Sequence, residues 1–157
     1  MKRILVNVDR CSGCRQCEMV CSFSHENAFG SSISRITVMK EDIFGLDLPV
    51  VCFHCSPCNA MKNCPTKALE RKEDGLISVN EEKCVGCGIC LEKCIIGAIK
   101  IHPKSNIPII CDQCGEKPLC VEKCPTKALT YIEAEKQQPK SPNQVLKETL
   151  RRWGIIA

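Results

Sequence analysis

The chain has 157 residues, 44% of them hydrophobic but only 4% aromatic, too little ring area for a conventional core. Lysine and arginine total 22 against 18 acidic residues, a formal charge of +4, but the cations are scattered and rings for base stacking are few, which argues against nucleic-acid binding. No stretch approaches the roughly 18 to 20 continuous apolar residues of a membrane span, and the apolar run behind Lys2 and Arg3 is too short for a signal peptide, so a cytoplasmic chain with reduced thiols is expected.

In chain order, an apolar and β-branched run over residues 3–8 predicts the first strand. A first cysteine group follows, Cys11, Cys14, Cys17 and Cys21, with a helix of one to two turns predicted over 15–20. Residues 22–51 hold three of the four phenylalanines (Phe23, Phe29, Phe44), His25 and a predicted strand over 35–39. This segment reads either as a hairpin lobe capping a metal centre or as a docking surface. The second group is Cys52, Cys55, Cys58 and Cys64, followed by a predicted strand over 76–79. The third is Cys84, Cys87, Cys90 and Cys94, with a helix predicted over 89–93 and a strand over 98–101. The fourth is Cys111, Cys114, Cys120 and Cys124, ahead of a predicted strand over 128–132. Residues 134–142 are polar and Pro-bearing, a linker. Ser141 as N-cap and Pro142 at the first helical position then predict a helix to about residue 153. Its stripe of Val145, Leu146, Leu150 and Trp153, continued by Ile155 and Ile156, either packs back on the chain or grips a partner subunit.

Internal repeats organise these pieces. Cys64-Pro65-Thr66-Lys67-Ala68-Leu69 recurs unchanged at Cys124–Leu129, with a looser copy, Cys94-Ile95-Ile96-Gly97-Ala98-Ile99, midway. Leu48-Pro49-Val50-Val51-Cys52 is echoed by Ile107-Pro108-Ile109-Ile110-Cys111, and Cys11-Ser12-Gly13-Cys14 by Cys84-Val85-Gly86-Cys87. The chain therefore reads as two tandem halves, 1–79 with 22–51 inserted and 80–133, followed by a linker and helical arm over 134–157. Each half has the motif count of a two-cluster ferredoxin. The expected fold is α+β, a tandem duplicated bacterial dicluster-ferredoxin-like fold with a C-terminal helical arm.

The cysteine spacing specifies the chemistry. Groups one and three read C-x-x-C-x-x-C-x-x-x-C, and Pro follows the last thiol of groups two and four, both parts of the 4Fe–4S ligand signature. Disulfides suit secreted chains, and structural zinc takes two C-x-x-C pairs separated by a longer loop. Sixteen thiolates suffice for four 4Fe–4S clusters with none left over. At roughly −2 each these would bring the holo-protein to about −4, so the basic excess partly compensates anionic clusters. With so small an aromatic core, metal binding supplies much of the folding free energy. Gly13 and Gly86 stand where backbone must approach a cluster closely. His54 could ligate or tune a cluster, whereas His25 and His102 have no partners at ligand spacing and read as structural. Phosphate loops, dinucleotide fingerprints and nucleophile–base pairs are absent, so the expected role is conduction, without catalysis in this chain.

The cysteine runs make the chain similar to four-cluster electron-transfer subunits of cytoplasmic oxidoreductases. That resemblance implies nested ligand exchange: Cys11, Cys14, Cys17 with Cys124; Cys111, Cys114, Cys120 with Cys21; Cys52, Cys55, Cys58 with Cys94; and Cys84, Cys87, Cys90 with Cys64. Group two departs from group four, since Ala60 occupies the position matching Cys120 and the thiol has moved to Cys58. The stretch Cys11–Phe23, with His25-Glu26 and Ser34-Arg35-Ile36, resembles the small subunits of tungsten-containing aldehyde oxidoreductases and related tungsten benzoyl-CoA reductases. It implies a large catalytic partner holding a tungsten–pterin and a low-potential acceptor such as ferredoxin. Small subunits of hydrogenase, formate or carbon monoxide dehydrogenase complexes, and a free polyferredoxin, are the alternatives.

Overall fold

Short runs of β-branched and aliphatic residues flank every cysteine group, and each is long enough only for a hairpin arm. The computed structural model describes residues 1–133 and 140–156; the predicted linker over 134–139 lies outside the described residues. Four two-stranded antiparallel sheets result. β1 (Lys2–Val6) pairs with β8 (Leu129–Glu133), joining the N-terminus to the segment after the last cysteine, with Ile4 opposite Tyr131. β2 (Ile36–Glu41) pairs with β3 (Leu46–Val51), β4 (Leu69–Arg71) with β5 (Ile77–Val79), and β6 (Lys100–Ile101) with β7 (Pro108–Ile109). The helices are α1 (Gln16–Glu26), α2 (Asn59–Lys62), α3 (Ile89–Lys93), α4 (Leu119–Glu122) and α5 (Pro142–Arg152). α1 packs on α4 and α2 on α3, so the first helix pairs with the fourth and the second with the third.

The strands predicted from β-branched runs all form, with shifted ends. The predicted strand over 3–8 stops at Val6, because the Asn7 side chain accepts the Asp9 N–H at 3.1 Å and starts a single 3-10 turn. α1 outruns its predicted end at residue 20 and takes the first residues of the supposed insertion, through Glu26. β3 was hidden by Pro49, which sits opposite Val38 in a two-stranded ribbon, where a missing N–H costs no inner ladder bond. α2 and α4 are single turns, too short for helical periodicity to register.

Cysteines are much of the interior. Eight are buried (Cys17, Cys21, Cys52, Cys55, Cys90, Cys111, Cys120, Cys124), in one cluster with Ile4, Ile36, Val38, Leu48, Val50, Leu69, Ile77, Ile99 and Leu129. The hairpin β2–β3 is thus part of the core, since Ile36, Val38, Leu48 and Val50 fill it. The insertion's other aromatic residues stay outside: Phe23 and Phe29 stack at 5.0 Å between centroids while about half and two-thirds exposed.

The C-terminal stripe turns back onto the chain. α5 packs on β3, Leu150 is buried, and Arg152 reaches Asp9 at 2.5 Å. Ser141 accepts the Gln144 N–H at 3.3 Å while Gln144 accepts that of Ser141 at 2.8 Å, a complete capping box. Trp153, Ile155 and Ile156 remain partly exposed.

All four C-x-x-C loops share one backbone feature. The residue before the second cysteine has positive φ: Gly13 at 64°, His54 at 52°, Gly86 at 67° and Gln113 at 56°. At Gly13 an added Cβ would collide with the Asp47 carboxylate, and at Gly86 with the Asn106 side chain, which donates to the Gly86 carbonyl at 3.3 Å.

Two outcomes follow from this geometry. Gly86→Ala is expected to lower the unfolding midpoint of the holo-protein more than Gly88→Ala. Both put alanine at positive φ at about 1 kcal/mol, but open space surrounds only Gly88. Ser141→Ala is expected to loosen α5 by about 1 kcal/mol, read as faster amide exchange over 144–150 with the β1–β8 amides unchanged.

Candidate metal centres

The helices place the third cysteine of each group. Cys17, Cys90 and Cys120 are each the second residue of a helix, facing inward after a tight loop. In group two that position in α2 is Ala60, wholly buried, and the thiol stands two residues earlier at the N-cap, Cys58. The displacement read from spacing is therefore structural. Cys58 nevertheless stays close enough to interact electrostatically with Cys55, as does Cys94.

Folding gathers the thiols across the chain. Cys11, Cys14, Cys17 and Cys124 line one cavity; Cys21, Cys111, Cys114 and Cys120 line a second. Cys52 and Cys55 interact with Cys94, and Cys84 and Cys87 with Cys90. Cys64 follows α2 by two residues, and α2 packs on α3, which carries Cys90. Neighbouring sets also approach each other, since Cys120 feels Cys17 and Cys52 feels Cys111. Only Cys14 and Cys87 are exposed.

Hydrogen-bond donors converge on the sulfurs. The backbone N–H of His54 reaches Cys52 Sγ at 3.5 Å and that of Gln113 reaches Cys111 Sγ at 3.4 Å. The group-ending repeat makes a recurrent turn, in which Lys67, Gly97 and Lys127 each donate to the carbonyl three residues back. It aims the Ala68 N–H at Cys64 Sγ (3.3 Å) and sets the Thr66 and Thr126 hydroxyls 3.8 and 3.7 Å from Cys64 and Cys124 Sγ. Cys21 lies inside α1 and has no such turn; the Arg35 N–H serves instead at 3.3 Å.

Thiol acidity divides accordingly. Burial pushes Cys17 and Cys111 up to about 12 and Cys55 to about 11, with Cys52 and Cys120 higher still. Burial also raises Cys64 and Cys124, but the converging N–H groups and threonine hydroxyls outweigh it and bring both below the usual thiol range. Cys21 ends lowered too, the donors His25, Arg35 and Ser34 together overcoming burial. Thiols this buried suit a metal, which supplies the charge that stabilises thiolate.

Three buried donors carry the same message. Arg3 Nε, Arg35 Nη1 and His54 Nε2 are buried with no hydrogen-bond partner among the described residues. Cations and N–H groups left unmatched near the thiols fit anionic thiolate-bound centres, and a neutral disulfide framework would leave them without a counterpart. The residues present therefore fit 4Fe–4S centres.

The histidines have distinct jobs. His54 is fully buried; its Nδ1 accepts the Ile77 N–H at 3.0 Å, so that nitrogen is not a metal ligand. Burial, then repulsion from Arg3 and Arg71, pushes it down to about 4 and keeps it neutral. His25 gains a partner that linear spacing concealed: its Nε2–H donates to Asp112 at 3.1 Å and its Nδ1–H to the Cys21 carbonyl at 2.8 Å. The Asp112 bond, then Cys21, pushes the ring up to about 10. The trio His25, Asp112 and Cys114 presents its ligand atoms within 4.8 Å, at the edge of the second thiol cavity. His102 caps a turn through its Nδ1 and faces Glu26 at 3.6 Å. Arg3 and Arg71 gave no linear signal of their roles, and Arg35 appeared only within the Ser34-Arg35-Ile36 stretch; Thr66 and Thr126 lay in the repeated hexapeptide, which could have flagged them.

Residues 77–100, which contain the third group, match the 4Fe-4S binding domain family (Fer4). The chain is 42% identical over 123 residues to the polyferredoxin-like subunit of an aliphatic sulfonate oxidoreductase from Pyrococcus furiosus, covering 77% of this chain and 70% of the relative. It is 33% identical over 144 residues to the B subunit of the anaerobic dimethyl sulfoxide reductase of Escherichia coli, covering 80% and 70%. Among solved structures, the benzoyl coenzyme A reductase active-site complex BamBC with benzoyl-CoA has a polypeptide that superposes with a TM-score of 0.53 at 23% identity, covering 98% of this chain and 92% of that one, a likeness of fold. Cysteine groups, converging donors and relatives agree: the chain belongs to the family of 4Fe–4S ferredoxin-like electron-transfer subunits of oxidoreductase complexes.

Proposed function

We propose that this chain is a non-catalytic subunit carrying four 4Fe–4S clusters, with ligands exchanged in nested order and arranged as two ferredoxin-like halves, 1–79 and 80–133. The observation that carries the reading is the meeting of Cys124 with Cys11, Cys14 and Cys17, and of Cys21 with Cys111, Cys114 and Cys120. The inner sets are Cys52, Cys55, Cys58 with Cys94, and Cys84, Cys87, Cys90 with Cys64. With all sixteen thiols assigned, no iron is open to substrate. Each cluster supplies one-electron transfer, its potential set by charge, hydrogen bonds to sulfur and exposure. Neighbour contacts order the centres as group one, four, two and three, with exposed Cys14 and Cys87 at the two ends. The protein's part is to hold this spacing, exclude water from the middle and present an edge at each end.

The partner in this reading is a tungsten–pterin aldehyde oxidoreductase, whose electrons pass through the chain to a low-potential acceptor such as ferredoxin. The Cys21–Ile36 neighbourhood and the fold likeness to the benzoyl coenzyme A reductase complex support it. A second reading, subunit to a reductase with electrons running the other way, is favoured by the likeness to the dimethyl sulfoxide reductase B subunit. Anaerobic purification from the native source, with identification of the accompanying polypeptide, decides. Tungsten in the complex with aldehyde-dependent reduction of the clusters supports the first reading; a tungsten-free complex eliminates it.

The ligand sets have their own tests. The holo-protein is expected to carry roughly sixteen irons with matching sulfide, and a count near half that would remove two of the centres. Cys58→Ser is expected to alter one centre, seen as a three-iron EPR signal, and to leave the other three; an unchanged spectrum would show that Cys58 is no ligand. Chelation of iron under reducing conditions is expected to abolish most of the circular dichroism, as for small metal-dependent domains. Native helix content in the apo form would contradict this.

A further inference from the structure

The loop of group two, Cys52-Phe53-His54-Cys55, is held by two arginines from different strands. Arg3, on β1, is 3% exposed; its Nη1 donates to the Phe53 carbonyl at 2.6 Å and its guanidinium lies 4.4 Å over the Phe53 ring. Arg71, on β4, donates to the His54 carbonyl at 3.3 Å, the Gly75 carbonyl at 2.7 Å and the Cys55 carbonyl. Among the described residues neither makes an ion pair with a carboxylate. Two like charges thus share one loop, with Arg3 Nε unmatched and the neutral His54 between them. Burying charge without a counter-charge costs several kcal/mol per ion, so an anion must belong beside them. Cys52 and Cys55, thiolates once they hold a cluster, are the groups that Arg3 faces.

The loop of group one is the opposite. The Asp47 carboxylate lies against Gly13, sharing only the exposed Lys40 at 3.0 Å, and Glu18, beside Cys17, is buried with its carboxylate on the Val38 N–H at 2.5 Å. Asp47 acts on Cys11 and Glu18 on Cys17, while Arg15 lines the same cavity and half-buried Lys100 faces Glu18, so the two carboxylates here stand against cations that hold no place in the group-two loop.

We infer that Arg3 and Arg71 set the reduction potential of the centre on Cys52, Cys55 and Cys58, making it a better electron acceptor than the centre at the Cys14 end. This rests on the ligand sets proposed above. Reduction adds one electron, and one negative charge, to a cluster already anionic, while its neighbour is oxidised by one; no bond forms or breaks. Two fixed cations at the loop favour the reduced form, and two carboxylates at the other loop disfavour it. Burial of Cys52 and Cys55 acts the other way, since a low-dielectric site penalises added charge. The cations prevail because Arg3 is buried and Arg71 half-buried against the loop, where water screens them less than surface charges. An electron entering at Cys14 therefore runs downhill into the interior, and Arg3 and Arg71 are positioning residues that act through the cluster's charge.

The test is EPR-monitored redox titration of the holo-protein. Arg71→Gln should lower one midpoint by at least the tenfold change in equilibrium that 59 mV represents for a one-electron couple. The signal it moves should be the one altered in Cys58→Ser. Arg71→Lys, which keeps the charge but loses the fork, should leave that midpoint near its original value. Asp47→Asn should raise a different midpoint. The inference is overturned if neither Arg71→Gln nor Asp47→Asn moves a midpoint, if Arg71→Gln moves a signal that Cys58→Ser leaves intact, or if Arg71→Lys shifts as far as Arg71→Gln. Should Arg71→Gln fail to fold, Arg3→Gln and Asp47→Asn carry the same comparison. Iron content and the number of EPR signals report the ligand sets independently, so the two readings fail separately.

Discussion

Everything in this protein follows from the need to bring backbone N–H groups within reach of sulfur. Each C-x-x-C loop turns on a residue with positive φ, and three group-ending turns repeat the device with Lys67, Gly97 and Lys127. A non-glycine residue in that region costs roughly 1 kcal/mol or more, and two loops accept it. His54 and Gln113 hold strained backbone because their side chains brace the interior: His54 accepts from Ile77, and Gln113 donates to the Lys2 carbonyl and accepts from Tyr131. Where glycine stands instead, Asp47 and Asn106 occupy the space a side chain would have taken. Loop strain and side-chain bracing are therefore two solutions to one geometric demand.

That demand also explains how so short a chain manages with almost no aromatic core. Eight thiols lie inside, in one cluster with aliphatic residues in or next to all four strand pairs. None of those hairpins has more than two strands, a size that is marginal by itself in water. They are stable together because each anchors the end of a cysteine loop. α5 completes the arrangement from outside by covering β3.

Local features of the fold were legible in the sequence; long-range ones were not. The Ser141-Pro142 start of α5 could be read directly, since the cap, the proline and the Gln144 partner all lie within four residues. The helix over Ile89–Lys93 and the strands near 35–39, 76–79, 98–101 and 128–132 followed from short-range pattern as well, whereas the short β4 and β7 did not register. The other failures have one physical origin, distance along the chain. The pairing of His25 with Asp112 spans 87 positions, and the clamp of Arg3 on Phe53 spans 50. Nothing local in either residue reveals its partner. The displaced thiol of group two, with Ala60 in the matching position, was visible as spacing, and the helix register agrees, with Ala60 the second residue of α2. Ala60 is fully buried, so a cysteine there would need room that α2 does not leave.

The tandem repeats and the three-dimensional pairing point in different directions: repeats are sequential, yet β1 pairs with β8 and α1 packs on α4, so the outermost segments meet. Buried thiols fall in all four groups, and anionic sulfur there is costly without positive charge nearby. Buried Arg3 from β1 and half-buried Arg71 from β4 reach the group-two loop, while half-buried Arg35 and Lys100 lie by Cys21. Arg3, Arg35 and Arg71 stand in the same stretch, 1–79, as the cysteines they approach, while Lys100 crosses from the later stretch to the Ser31 and Ile36 carbonyls. Cations held beside some cysteine loops and carboxylates beside others make a sequence of similar loops into unequal electrostatic sites.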